Sequence, residues 1–169
     1  MELLKLATEW AKDEVFSTRF FILFSILFLI ASIGFWQLGK TDLARAYIIP
    51  TFVAGILLIT IGFGLYFTNK SRINQFEKAF NSDAPAFLQS EIERSESTLK
   101  EYTVVFKVIP SLIIIAALLI LFINTPIWRA ISITTIAMLI VILLVDGTAH
   151  SRIKAYHKEL KLIDETRSA

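Results

Sequence analysis

Cysteine is absent from the 169 residues, which excludes disulfides, thiolate metal sites and thiol catalysis, and leaves the compartment open. Charge is scarce too: Asp, Glu, Lys and Arg make up 19% of the chain and the formal net charge is +2, too small to argue for nucleic acid. The basic residues lie beside apolar runs, as membrane flanks do, so no nucleic-acid partner is expected. An Ala-x-Ala-like cleavage site is missing after the first apolar run. That run is longer than a signal-peptide core and follows the acidic pair Asp13-Glu14, so it reads as a retained span. Catalytic constellations are missing as well. Ser151 and His150 are adjacent rather than opposed, no acid is placed to orient the histidine, and Glu91, Glu93 and Glu96 have no metal-binding companion. The expectation is a non-enzyme with no cofactor, no metal and no catalytic residues.

Apolar residues are abundant. They make up 55% of the chain and the mean hydropathy is +0.64, so the solvent for much of it is lipid. Four runs, 20–38, 46–67, 104–123 and 127–145, each supply the about 20 residues that cross a hydrocarbon core of about 30 Å at about 1.5 Å per residue. The expected fold is an all-α integral membrane protein. Its four transmembrane helices form two tandem hairpins in the same orientation, with amphipathic cytoplasmic helical extensions. The boundaries are an amino-terminal amphipathic helix over 1–19, a first transmembrane hairpin over 20–68, a cytoplasmic helical segment over 69–103, a second hairpin over 104–147 and a basic carboxy-terminal helix over 148–169.

The hairpins read as one unit written twice. Ser151-Arg152-Ile153-Lys154-Ala155-Tyr156-His157-Lys158 nearly repeats Ser71-Arg72-Ile73-Asn74-Gln75-Phe76-Glu77-Lys78, while Arg129-Ala130 matches Arg45-Ala46 and Lys107 matches Arg19. Of the 17 Lys and Arg residues only Lys40, Arg45 and Arg129 lie in the short turns. The excess on the other side predicts a cytoplasmic position for both termini and for the central segment, and the expected location is a bacterial inner membrane.

Within these segments, Leu3, Leu6, Ala7, Trp10 and Ala11 share one face of an amphipathic helix. It is expected to lie along the membrane surface with Trp10 at headgroup depth, or to run on into the first span as a single rod. Phe16, Phe20, Phe24 and Phe28 line one side at four-residue spacing, which reads as packing, and Ser25 and Ser32 mark a face where a helix approaches closely. In the second span Thr60 and Gly64 make a small-xxx-small pair, and Pro50 is expected to bend the helix near its entrance. Trp36 and Trp128 are expected anchors at the interface. Gly34-x4-Gly39-Lys40-Thr41 has the spacing of a phosphate-binding loop, but Gly34 falls inside a span rather than after a strand, so nucleotide binding is rejected. Asp83 is expected to cap a helix. From there Leu88, Ile92, Ser95, Leu99, Tyr102 and Phe106 form a heptad-like seam, matched after the fourth span by Ile153, Tyr156, Leu160 and Ile163. The two seams are expected to contact each other or a partner protein, with Glu91, Glu93, Arg94, Glu96 and Lys100 solvated.

Candidate chemistry is confined to a few residues. Asp146, with His150 one turn on, is a candidate proton or ion site, and its bland alternative is interfacial pairing with His150, Lys70 or Arg152. As a metal site the two supply too few ligands. Arg45 and Arg129 are expected to contact headgroups or an outer-face partner. These features predict a small four-span membrane protein that acts by protein contact, as a subunit, a regulator or an immunity protein against a membrane-targeting partner. Its partners would be the bilayer and another membrane protein or a second copy of itself. The alternative is an oligomeric ion channel or small proton-coupled transporter using Asp146.

Overall fold

The apolar runs 20–38 and 127–145 lie inside still longer helices, while 46–67 begins two residues before its long helix and 104–123 ends one residue past its own. The computed structural model describes residues 1–168 and is almost entirely helical: α1 Glu2–Leu38, α2 Asp42–Ala46, α3 Ile48–Ser82, α4 Ala84–Phe122 and α5 Pro126–Ser168. Four of these helices are long and apolar enough to cross a membrane. The breaks follow from local chemistry. Thr41 accepts a hydrogen bond from the Ala44 amide and caps α2, and Asp83 Oδ1 accepts from the Ala86 amide at 2.9 Å and caps α4. Pro126 opens α5, where a missing N–H costs nothing. Pro50 is the third residue of α3, so it too sits in a first turn and forfeits no intrahelical bond. Pro110 lies within α4, which continues through it, and the Ser111 hydroxyl donates to the Lys107 carbonyl at 2.9 Å.

The chain divides into two units. Unit 1 comprises Met1–Thr18, Gly64–Val105 and the chain from Asp146 onward; unit 2 comprises Arg19–Phe63 and Phe106–Val145. Each of the four long helices contributes to both.

Unit 1 has the larger core. Leu3, Ala7, Trp10 and Ala11 of α1 pack with Phe76 of α3, Phe87, Leu88 and Ile92 of α4, and Ile153, Tyr156 and Leu160 of α5. Leu88, Ile153 and Leu160 are fully enclosed, and each such side chain contributes about 1.5–3 kcal/mol by leaving water. Phe76 and Phe80 meet Phe87 edge-on where α3 turns into α4. The amino-terminal segment continues without a break into the helix of the first apolar run, and its apolar face is taken up by three other helices.

Unit 2 is held by a short apolar cluster and by close backbone contact. Phe21, Leu58, Val141 and Val145 are buried together, with Phe24 and Phe28 against them, whereas Phe16 and Phe20 of the same stripe are exposed. Ser25 donates to the Gly55 carbonyl at 2.7 Å and Ser32 to the Ile48 carbonyl at 2.8 Å, so the small-residue face of α1 lies on α3. Its glycine partners are Gly55 and Gly62. A Cβ on Gly55 would come within 2.8 Å of Leu29 and one on Gly62 within 3.1 Å of Phe21 and Ile22. The expected pair Thr60 and Gly64 falls elsewhere: nothing lies within 4 Å of a Cβ on Gly64, and the Thr60 hydroxyl returns to the Ile56 carbonyl. Seven-residue spacing keeps Gly55 and Gly62 on the α1 side, and Thr60 and Gly64 rotate away from it.

Candidate functional site

The polar groups that cost most to bury are gathered in unit 1, where all four long helices contribute one. Trp10 of α1 stacks on Tyr156 of α5, with ring centroids 5.1 Å apart and planes at 16°. The Arg94 guanidinium of α4 lies over Trp10 at 4.3 Å and over Tyr156 at 5.8 Å. One turn before it, Glu91 is buried and accepts from Arg94 through Nε and Nη2, and from the Tyr156 hydroxyl at 2.7 Å. Burial alone would weaken the charge on Arg94; the Glu91 carboxylate more than offsets it and holds the guanidinium above its ordinary value. Burial and then the Glu91 charge push the Tyr156 phenol far up, so this hydroxyl stays a donor.

Two further groups complete the cluster. Glu14 of α1 accepts from Arg152 Nε of α5 at 3.1 Å. Burial raises the Glu14 carboxyl above its ordinary range, and Arg152 only partly offsets that rise. Arg72 of α3 donates to Asn69 Oδ1 at 2.9 Å; burial, then repulsion from Arg94, lowers its affinity for the proton. A cavity of about 240 Å³ opens among these groups, lined by Trp10, Glu14, Asn69, Arg72, Arg94 and Tyr102, with Leu65 and Val105 on its apolar side. Nearby, Ser95 Oγ and His157 Nδ1 lie 2.7 Å apart, while the Ser95 hydroxyl donates to the Ile92 carbonyl. With the single serine proton so used, His157 Nδ1–H is the donor to Ser95. Burial, then Lys161, lowers the His157 value, which favours that neutral ring.

The seam residues lie within the chain. Leu88, Ile92, Ile153, Tyr156 and Leu160 are buried in the unit 1 core, and Leu99, Tyr102 and Ile163 pack against it. Glu91 departs from the sequence reading: it is buried at 5% exposure rather than solvated, because Arg94 and Tyr156 satisfy its oxygens. The carboxylate and guanidinium three residues apart on one helix were the available signal. Trp10 was expected at headgroup depth and Glu14, Asn69 and Arg72 drew no functional reading. Trp10 and Glu14 come from one stretch of sequence and Asn69 and Arg72 from another, and only packing brings the two stretches together.

Asp146 is half-buried, and with Glu14 it adds to the rise in the Tyr102 phenol that burial begins. His150 meets the Tyr102 ring edge-on at 5.5 Å. Two of the three partners expected for Asp146 make other contacts: Arg152 holds Glu14, and Lys70 lies over the Tyr66 ring at 5.5 Å. Among the described residues no three His, Asp or Glu side chains converge as metal ligands. Arg45 and Arg129 are exposed, and each turns back on its own turn, Arg45 to the Gly39 carbonyl at 3.2 Å and Arg129 to Asn124 Oδ1 at 3.5 Å. Gly34 is an ordinary helical residue of α1 and Thr41 is a helix cap, so the pattern 34–41 forms no phosphate loop. Trp36 and Trp128 are both exposed.

Comparison with protein families, with curated proteins and with solved structures finds no match.

Proposed function

We propose that the chain is a four-span protein of a bacterial inner membrane that acts without catalysis, through contact with another membrane protein. It would serve as a subunit, a regulator or an immunity-type protein against a membrane-targeting partner. Its spans form two tandem hairpins of one orientation, and both termini and the 69–103 segment are cytoplasmic. The order of contacts supports the hairpins. Along α1, Phe21, Ser25 and Ser32 meet Gly62, Gly55 and Ile48 in descending order, and along α4, Glu91 and Tyr102 meet Tyr156 and His150. Supporting the tandem reading, Ile73 and Phe76 share the unit 1 core with their counterparts Ile153 and Tyr156. The Lys and Arg bias supports the orientation.

The observation that carries the contact reading is how little of α4 its own chain covers. Only 11% of its most apolar 18-residue stretch is buried, the least of the four spans, and Val108, Ile114, Ile115, Leu118 and Leu121 are all exposed. The heptad seams, by contrast, are already occupied within unit 1, so the span face of α4 is the surface left for a helix of another membrane protein. The test is gentle purification from the native host in mild detergent, followed by mass spectrometry of wild type and of Leu118→Trp. A stoichiometric membrane partner, lost in Leu118→Trp at unchanged thermal stability, supports the reading. Recovery of the chain alone, or of its own oligomer only, removes it.

One arrangement favours the second reading, an oligomeric channel or proton-coupled transporter. The charges of Asp146 and Glu14 act on Tyr102 next to the fourth apolar run, and His150 meets the Tyr102 ring. Asp146→Asn then abolishes proton-driven flux in liposomes, and unchanged flux eliminates this reading.

A further inference from the structure

We infer that the unit 1 cavity binds a phosphate group, carried by a phospholipid headgroup or free in solution. Trp10, Arg72 and Arg94 line the cavity together with Glu14, which Arg152 pairs from outside the lining. Arg94 is held by Glu91 and Arg152 by Glu14. Three donors nevertheless lack a matching acceptor. Trp10 Nε1 and Arg152 Nη2 are buried without a hydrogen-bond partner, and Trp10 is only 8% exposed. Arg72 has the neutral Asn69 oxygen and, among the described residues, no ion pair. A buried donor left unpaired is costly enough that native proteins rarely carry several in one place.

A phosphate oxygen meets this need because it only accepts, and a guanidinium fork matches its geometry. The carboxylates do not oppose it. Glu14 is ion-paired with Arg152, and Glu101, the other acid lining the cavity, is exposed to solvent. The size also fits: about 240 Å³ is the liquid volume of roughly eight waters at about 30 Å³ each, enough for a phosphate and a glycerol-sized head.

Depth points to the lipid as the leading source. The lining begins at Leu65 and Val105, inside the apolar runs 46–67 and 104–123, and extends outward to Asn69 and Arg72. At about 1.5 Å per residue Arg72 lies roughly 8 Å beyond its run. That is the thickness of one headgroup layer, roughly 5–8 Å from a bilayer of about 40–45 Å around a core of about 30 Å. The site is distinct from Arg45 and Arg129, which belong to unit 2 and do not line the cavity.

The test uses the purified full chain in a phosphate-free detergent buffer. It is offered phosphatidylglycerol or inorganic phosphate, and bound ligand is read by native mass spectrometry. The expected result is one ligand per chain, with occupancy reduced about tenfold in Arg72→Gln, as the loss of one charge-assisted hydrogen bond implies. Trp10→Phe keeps the stacked ring and removes the N–H, so it reduces occupancy by less and serves as the readout if Arg72→Gln does not fold. Phosphatidylglycerol that inorganic phosphate fails to displace identifies the lipid as source; bound inorganic phosphate with no retained lipid identifies a soluble ligand. Binding of neither, or binding that neither substitution weakens, overturns the inference and leaves the donors to water.

Discussion

Replacing Glu91 by Leu would test the polar network most severely. Glu91 is 5% exposed and accepts from both Arg94 and Tyr156, so its loss leaves a guanidinium and a phenol hydroxyl unpaired inside unit 1. Breaking a buried ion pair costs about 3–5 kcal/mol. The Arg94 side chain keeps 21% exposure and its place over the Trp10 ring, which restore part of its solvation and put the expected loss near the low end, about 3 kcal/mol. Adding Arg94→Met removes the stranded charge, and the double variant should then lose only about 1–2 kcal/mol, most of it from the Tyr156 hydroxyl. The assay is equilibrium unfolding in detergent followed by tryptophan fluorescence, with Trp36 and Trp128 replaced by Phe so that Trp10 alone reports on unit 1. A loss below about 1 kcal/mol in Glu91→Leu, or a double variant no more stable than the single, would refute the argument that this pair is a buried, mutually dependent unit.

Other consequences are equally direct. Leu160→Ala, at a fully enclosed position, should cost about 2–5 kcal/mol in the same assay, whereas Leu162→Ala, at an exposed one, should cost less than about 0.5 kcal/mol. Glu14 has a folded-state value raised above its ordinary 4.5, so the native state holds its proton more tightly than the unfolded chain. Its stabilising contribution is therefore fully present below about pH 4.5 and lost as pH rises through the folded value. Glu14→Gln should flatten the stability profile across that window, and an unchanged slope there would contradict the burial of this carboxyl. Gly55→Ile should disrupt the contact of α1 with α3, measured as loss of a cross-link engineered between Ser32 and Ile48, while Gly64→Ile should leave it intact. The cysteine-free chain also permits a clean topology test: single cysteines at Lys40 and Lys161, both exposed, should react with an impermeant thiol reagent from opposite sides of the membrane.

The elements that could be read from the sequence were those set by local pattern. Four apolar runs of membrane length, the Asp83 cap, the amphipathic face of residues 3–11 and the Ser25 and Ser32 contact face all depend on residues a few positions apart, and each occupies a matching place in the fold. The polar cluster was not legible in this way. Trp10, Arg72, Glu91 and Tyr156 are far apart in sequence, and each alone looks like an interfacial ring, a membrane flank, a solvated acid or a seam residue. Their meaning arises only from convergence in unit 1. The Thr60 and Gly64 pair failed for a different reason: the small-xxx-small pattern recurs at several rotations of one helix, and only the position of the neighbouring helix decides which rotation is used.

The central claim is that the exposed span face of α4 meets another membrane protein, and site-specific photocross-linking in the native host tests it most directly. A photoreactive phenylalanine analogue at Leu118 should give a single discrete adduct with one other membrane protein, while the same group at Leu160, enclosed in the unit 1 core, should give adducts only within the chain. Adducts from Leu118 to lipid alone, or to a second copy of the chain alone, would contradict the claim.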